Sequence, residues 1–408
     1  MQESTPHFSE MKKIQRTILT TELQPLLQKK PEVWHPLERK LSKISVRSTF
    51  AVWAYECYLN SGIPPLEHKA NLFKIIIPLA AEHVITHAYL FNQIYDQKYD
   101  VISQAAIDRN LLYAHQLESH FLDFILYHPQ LNSEEKKKIA DATNGMMMRI
   151  EKGQKLTKKT SGALLRNLAI PAQIASPRFI DSLFSQDFVK GYLEPLTSTK
   201  DIFTQRALRA YFSRCFLISA DLFVTINQLI ADLLEVDKRH PMRKAMHNFA
   251  EQYGCLLQIV NDNADFVYEK PTNYKISNDV LSDIKNSTYT LPLIFHFEEK
   301  GIKSGLIQDM FFAPQASWEY GNHNRVLKSI MSSGAIRKSM LIGMGLAKFA
   351  KSKLPKHPAS IQKLNTMLSI AHNNRYYRHI YNAKKFYKKN PHPKSLYICE
   401  HHSSHSKN

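Results

Sequence analysis

Four polar side chains close together in this chain could hold a hard cation. Asn261, Asp265 and Glu269 lie four residues apart, and Asp262 stands three before Asp265. On a helix this spacing puts the first three on one face, each about 6 Å along the axis from the next. The preceding run, Tyr253 to Val260, is largely apolar and predicts burial. Carboxylates leading out of a buried helix repel one another and resist ionisation. A hard cation relieves that conflict: Mg²⁺ takes oxygen ligands, keeps some waters and bridges to phosphates. The same spacing also describes a solvated polar helix face, so spacing alone leaves both readings open.

The elements that must carry these residues read as helices. Leu72, Ile75, Ile76, Leu79, Ala80, His83 and Val84 recur at three and four residues, as do Ala207, Ala210, Tyr211, Arg214, Cys215, Ile218, Leu222 and Ile226. Strand-like alternation is scarce, and only twelve glycines occur, which predicts an all-α fold. Breaks are expected at Ser61–Pro65, Tyr127–Pro129, Ile170–Pro171, Arg239–Pro241 and Lys270–Asn273. The last helix is expected to end near Ile380. This divides the chain into an N-terminal extension (1–34), a helical domain (35–380) and a basic tail (381–408).

Composition narrows the function classes. The four cysteines are far apart and form no C-x-x-C pair, which argues against a zinc site or a disulfide framework and fits a reducing compartment. The polar N-terminus has no secretory pattern, and no uninterrupted apolar run approaches the roughly 18 residues of a membrane span. A cytoplasmic location follows as an expectation. The formal charge of +18 favours acidic partners. No helix-turn-helix, zinc-finger or RNP-like pattern occurs, so nucleic acid is not expected. The tail from Tyr381 carries six lysines and one glutamate. It reads as a solvated segment that could contact an anionic membrane surface.

Several of these stretches resemble one family. Gly254-x-x-x-Gln258-x-x-Asn261-Asp262-x-x-Asp265 is similar to the second aspartate-rich motif of trans-isoprenyl diphosphate synthases, G-x-x-x-Q-x-x-D-D-x-x-D. Asp283 to Leu293 resembles the family's D-x-x-x-G-K-x-T-L-P segment, and Gly153-Gln154 its GQ dipeptide. Met331 to Ile336 and Leu364 to Arg378 resemble later signatures. The resemblance keeps its order over about residues 35–380. It implies an isoprenoid synthase type I helical bundle around a deep central cavity, a prenyl diphosphate substrate, Mg²⁺ and a homodimer. Hetero-pairing with an active synthase is implied if the chain itself does not turn over.

The departures bear on the reaction. Where the family has its first D-D-x-x-D motif, this chain reads Asn92-Gln93-Ile94-Tyr95-Asp96, with Asp100 one helical turn on. Asp96 and Asp100 either hold Mg²⁺ with fewer charges, or are surface acids on a lost half-site. Of the basic groups that bind isopentenyl diphosphate in the family, Arg47 is the clear survivor, and Thr288 stands in the lysine position. A chain-elongating enzyme must offset the charges of two diphosphates. Class I terpene synthases share the fold and ionise one. Their N-D-x-x-S-x-x-x-E motif resembles Asn261-Asp262-x-x-Asp265-x-x-x-Glu269. Some carry a diphosphate-sensing arginine at the distance of Arg214, with Arg209 the other candidate, and a C-terminal Arg-Tyr pair like Arg375-Tyr376.

The resemblance therefore implies a terpene synthase first, a trans-prenyltransferase second and a non-catalytic homologue third. In the first, Asn261, Asp262, Asp265, Glu269, Asp96 and Asp100 form the metal set. Arg214, Arg375 and Tyr376 serve the leaving diphosphate. Arg47, Gln154, Arg209 and Gln258 contact substrate, and Tyr89, Phe91, Tyr95, Tyr211 and Phe212 line an aromatic pocket or fill the core.

Overall fold

A computed structural model describes residues 6–42, 45–66, 69–95, 104–165, 202–264, 266, 282–285, 288–300, 325–326, 329–354 and 356–372. Among these residues every regular element is helical and no strand occurs. The expected breaks at Ser61–Pro65, Tyr127–Pro129 and Arg239–Pro241 separate helices, and those at Ile170–Pro171 and Lys270–Asn273 lie outside the described residues, as does the tail 381–408.

The chain opens with α1 (Pro6–Ile18), a wide turn at Leu19–Leu23, α2 (Gln24–Lys29), α3 (Pro31–Leu41) and α4 (Val46–Asn60). The division expected after residue 34 falls inside α3, and Met11, Ile18, Leu23, Val33 and Trp34 are all buried in the main apolar cluster. Apolar residues at positions 11, 14 and 18 keep helical spacing, but the intervening lysines and arginine on the solvent side masked it. Glu10 ties α1 down by accepting from Trp53 Nε1 (3.2 Å) and from Lys363 Nζ (2.8 Å).

A wide turn at Leu72–Ile76 leads into α5 (Ile77–Tyr95), followed by α6 (Gln104–Leu126) and α7 (Ser133–Leu165). Pro78 stands at the junction of this wide turn with α5, where helical backbone runs on unbroken, so the amide donor it lacks falls at the change from π-type to α-type bonding. Asn132 and Glu135 close the start of α7 reciprocally: each side chain accepts the other's backbone N–H at 2.9 Å. On α5, Glu82 is buried and accepts the Ser48 amide at 2.9 Å, a carboxylate set at the N-terminus of α4.

The centre is built from α8 (Ile202–Cys215), a wide π-type turn at Phe216–Ala220, α9 (Asp221–Leu233) and α10 (Pro241–Ala264). The stretch Ala207–Leu233 is long and apolar enough to cross a membrane by length and composition, yet 67% of its apolar window is buried inside this fold. Four further helices follow: α11 (Ser282–Lys285), α12 (Leu291–Lys300), α13 (Ala335–Ser352) and α14 (Pro358–His372). Helix α10 serves two apolar clusters. Phe249, Tyr253 and Leu256 belong to the large one, and Cys255 and Ile259 to a second one shared with α8, α12 and α13.

The π-type turn is gripped from two sides. A Cβ on Gly254 of α10 would stand 2.2 Å from Ala220 Cα, and one on Gly153 of α7 would stand 2.6 Å from Ile218 Cγ2. Charged groups repeat the pattern. Just after the turn, Asp221 accepts from Arg149 Nε of α7 at 2.7 Å, and Thr225 Oγ1 lies 3.0 Å from Arg149 Nη2.

Between α5 and α6 lies a buried imidazole. His83 stacks on Phe121 with ring centroids 4.0 Å apart, and burial, then the neighbouring His87, hold its pKa down to about 3.

Two outcomes follow from this packing. Replacing Gly254 with alanine forces backbone apart and is expected to lower unfolding free energy by about 2 kcal/mol or more in urea titration. Gly145→Ala, which would meet only the flexible end of Arg149, should cost far less. An equal effect at both positions would contradict the close approach. His83 is neutral when folded, so below its ordinary range the unfolded chain binds the extra proton and stability falls with pH. The slope is about 1.4 kcal/mol per unit between about pH 6.5 and the folded value. Comparing urea midpoints at about pH 7 and pH 5, His83→Leu should flatten that fall. An unchanged slope would place the acid sensitivity elsewhere.

Candidate functional site

Arg214 is the penultimate residue of α8 and stands just before the π-type turn. The turn fixes its direction, because Gly254 holds Ala220 against α10 and brings the end of α8 beside the last turns of α10. Arg214 is 7% exposed and Asp262 only 2%. Arg214 Nη2 donates to Asp262 Oδ2 at 2.8 Å, and Gln258 Nε2, one turn earlier on α10, donates to Asp262 Oδ1 at 2.6 Å. Both carboxylate oxygens are thereby engaged.

Electrostatics follow the geometry. Burial is the largest single influence and works against the charge on Arg214, but the neighbouring groups, Asp262 first among them, together outweigh it and hold the guanidinium above its ordinary range. Asp283 at α11 adds to this effect, so Arg214 lies within reach of acids from two elements. Burial, then the charge of Asp262, raises the Tyr211 phenol and the Cys215 thiol, which keeps both neutral. The Arg214 guanidinium carbon stands 5.4 Å from the Tyr211 ring centroid. The Thr288 amide donates to the Asp283 carbonyl at 2.7 Å and closes the turn that leads to α12.

The structure thus joins Arg214, Gln258 and Asp262, residues expected to serve leaving group, substrate and metal separately. The expectation for Asp262 is corrected: it turns inward onto Arg214 while its neighbour Asn261 is exposed, because adjacent helical residues point about 100° apart. Helix α10 is described to Ala264, and the Phe266 amide closes onto the Asn263 carbonyl at 3.2 Å. Asp265, Glu269, Asp96, Asp100, Arg375 and Tyr376 lie outside the described residues, as does the side chain of Tyr95. Among the described residues no group of three His, Cys, Asp or Glu is placed to hold a metal. Asn261 is an open oxygen donor, but the described donors do not by themselves amount to a magnesium site.

Between the two arginine candidates the structure is decisive about direction. Arg209 is exposed and Arg214 is buried. Tyr211 and Phe212 are core residues of the second cluster rather than lining of an open pocket. Tyr89 is corrected as well: it is 44% exposed, with Lys40 Nζ of α3 3.6 Å from its ring centroid. Phe91 is half-buried between His87 and His115, at 4.8 and 6.2 Å. Gln154 is buried and its Nε2 donates to the Ala88 carbonyl at 3.4 Å, one turn before Asn92. Arg47 is half-buried in the first turn of α4, close enough to α10 for its charge to oppose the rise that burial gives Tyr253.

Three further groups escaped the sequence. His87 Nε2 approaches Glu118 Oε2 at 3.6 Å, and His115 Nδ1 approaches the same oxygen at 4.0 Å. Asn263 is buried beside Asp262, and neither side-chain polar atom has a hydrogen-bond partner among the described residues. His87 carried a signal in its four-residue spacing from His83 on α5, whereas His115, on α6, and Asn263 carried none.

No family model matches this chain. A curated prenyl transferase from Cyanophora paradoxa is 27% identical over 156 residues, which is 38% of this chain and 45% of that relative, so the match spans under half the relative's length. Solved structures align over far more. The polyprenyl synthase of Caulobacter crescentus, solved with calcium and isoprenyl diphosphate, aligns over 91% of this chain and 94% of its own, at 15% identity and a TM-score of 0.58. A geranylgeranyl pyrophosphate synthase of Corynebacterium glutamicum, solved with isoprenyl diphosphate and magnesium, aligns over 89% and 98%, at 13% identity and a TM-score of 0.61. A decaprenyl diphosphate synthase of Rhodobacter capsulatus aligns over 90% and 95%, at 14% identity and a TM-score of 0.57. The chain therefore has the helical fold of the trans-isoprenyl diphosphate synthases.

Proposed function

We propose that this chain is a trans-prenyltransferase that extends an allylic diphosphate with isopentenyl diphosphate. The observation that carries the reading is the coextensive alignment with three synthases of this kind, each covered over more than nine-tenths of its length. The curated relative bears the same class of name. These relatives favour elongation over the terpene synthase chemistry that the motif departures put first.

In this reading the Arg214–Asp262–Gln258 network is scaffolding. It fixes the end of α10 so that Asn261 projects outward while the adjacent carboxylate is neutralised from within. Arg47, half-buried beside α10, is the cation offered to a diphosphate, and Gln154 steadies α5 through the Ala88 carbonyl. Magnesium would supply charge neutralisation of the leaving diphosphate. Asn261, Asp265 and Glu269 are the residues proposed to hold it, and no step is routed through the ion here. A homodimer and a cytoplasmic setting belong to the same reading.

One observation favours the second reading, ionisation of a single diphosphate. Thr288, in the place of the family's lysine, is buried and uncharged. Removing a cation weakens the case for a second diphosphate site.

Incubating the purified chain with allylic diphosphates of increasing length and Mg²⁺, with and without isopentenyl diphosphate, separates the two. The expected result is a lengthened diphosphate formed only when isopentenyl diphosphate is present, and lost on chelation. A hydrocarbon or alcohol formed without it would replace this reading with the terpene synthase one. No turnover in either arm would contradict both and leave the non-catalytic homologue.

A further inference from the structure

The positive charge of this chain is segregated. Residues 320–399 contain sixteen Lys or Arg and no Asp or Glu, against a formal charge of +18 for all 408 residues. The rest of the chain is close to neutral. The longest described part of that segment is α13 with α14, and neither helix carries an acid.

Helix α13 buries one side, with Ile342, Leu346 and Ala350 in the core. On the opposite side Arg337, Leu341, Met344, Lys348 and Lys351 follow at steps of four and three, which aligns them in one stripe. The stripe runs about 21 Å along the helix. Arg337, Lys348 and Lys351 are exposed, and none has an ion pair among the described residues. Met344, at the middle, is 50% exposed, one of few large apolar side chains so open. Among the described residues, the carboxylates beside this flank, Glu298 and Glu299 of α12, are held by Lys338 at 3.2 and 3.7 Å, so they do not cancel the stripe. Lys353 and Lys356 extend the exposed charge beyond the helix end.

The geometry points to this face of α13 as a docking surface for an anionic lipid bilayer. An exposed apolar side chain set among cations inserts shallowly between headgroups while the cations engage lipid phosphates and carboxylates. A second copy of the same face would repel it. Nucleic acid could pair with the cations, but the centre of the stripe is apolar and offers no donor or acceptor to a base edge. The contact is thereby placed on a folded helix rather than on the tail alone, and it does not depend on which reaction the chain performs.

The test is sedimentation of the full chain with vesicles of phosphatidylcholine alone or with added phosphatidylserine. Binding is expected only to the anionic vesicles and should weaken as salt rises. Arg337→Gln/Lys348→Gln/Lys351→Gln should lower the affinity roughly 100-fold. Met344→Ser, which leaves every charge of the stripe in place, should lower it about tenfold. Unchanged far-ultraviolet dichroism and thermal unfolding would confirm that the exposed variants fold. Equal binding by the triple variant and the natural chain would assign the contact to other cations and overturn the proposal. So would equal binding to neutral vesicles, no binding to either, or displacement by an oligonucleotide with no effect of Met344→Ser.

Discussion

Gly254 lets α10 lie against the backbone of Ala220, closer than any side chain would permit. Gly153 does the same for α7 against the same wide turn, two residues earlier. Helical backbones normally pack 8–10 Å apart because side chains intervene. Removing two of them draws α7 and α10 onto one turn of the helix between them. The wide turn is what separates α8 from α9, so its grip sets where each begins and ends.

Charge then fixes the register that the glycines allow. Arg214 stands before the turn and pairs with α10, and Asp221 begins the helix after it and pairs with α7. Each neighbouring helix therefore supplies one glycine and one ionic partner. A buried pair of this kind adds little net stability, since desolvation consumes most of the attraction, but breaking it by removing one partner is expensive. It disfavours sliding of α8 along α10, because a one-turn shift would leave two buried charges unpaired. The functional consequence lies at the end of α10. Asp262 is answered inside the protein, and Asn261 is presented outside it. Within the described part of the acidic motif, one residue thus turns inward and its neighbour outward.

Much of this arrangement was legible from residue types. Helical periodicity gave the fold class, and the breaks expected at Ser61–Pro65, Tyr127–Pro129 and Arg239–Pro241 fall between helices. Gly153 and Gly254 stood out as motif glycines, but only the packing shows that they close on a single turn. The directions of Asp262, Arg209 and Tyr89 were not legible, since a one-residue step on a helix turns a side chain by about 100° and depends on the neighbour it meets. The packing of the N-terminal helices onto the core was not legible, since lysines and one arginine between buried apolar residues dilute the pattern and the contacts that hold them come from Trp53 and Lys363, far away in sequence. The charge asymmetry was present in the sequence, yet its meaning needed the exposed face of α13.

The central claim is that Arg214 and Asp262 form one buried unit rather than two independent site residues. A double-mutant cycle with Arg214→Met and Asp262→Leu, read by urea unfolding, tests it most directly. Each single change should cost about 3 kcal/mol, with the double variant more stable than either, which is a coupling of about 3 kcal/mol or more. Strictly additive losses, or an Arg214→Met variant as stable as the natural chain, would contradict it.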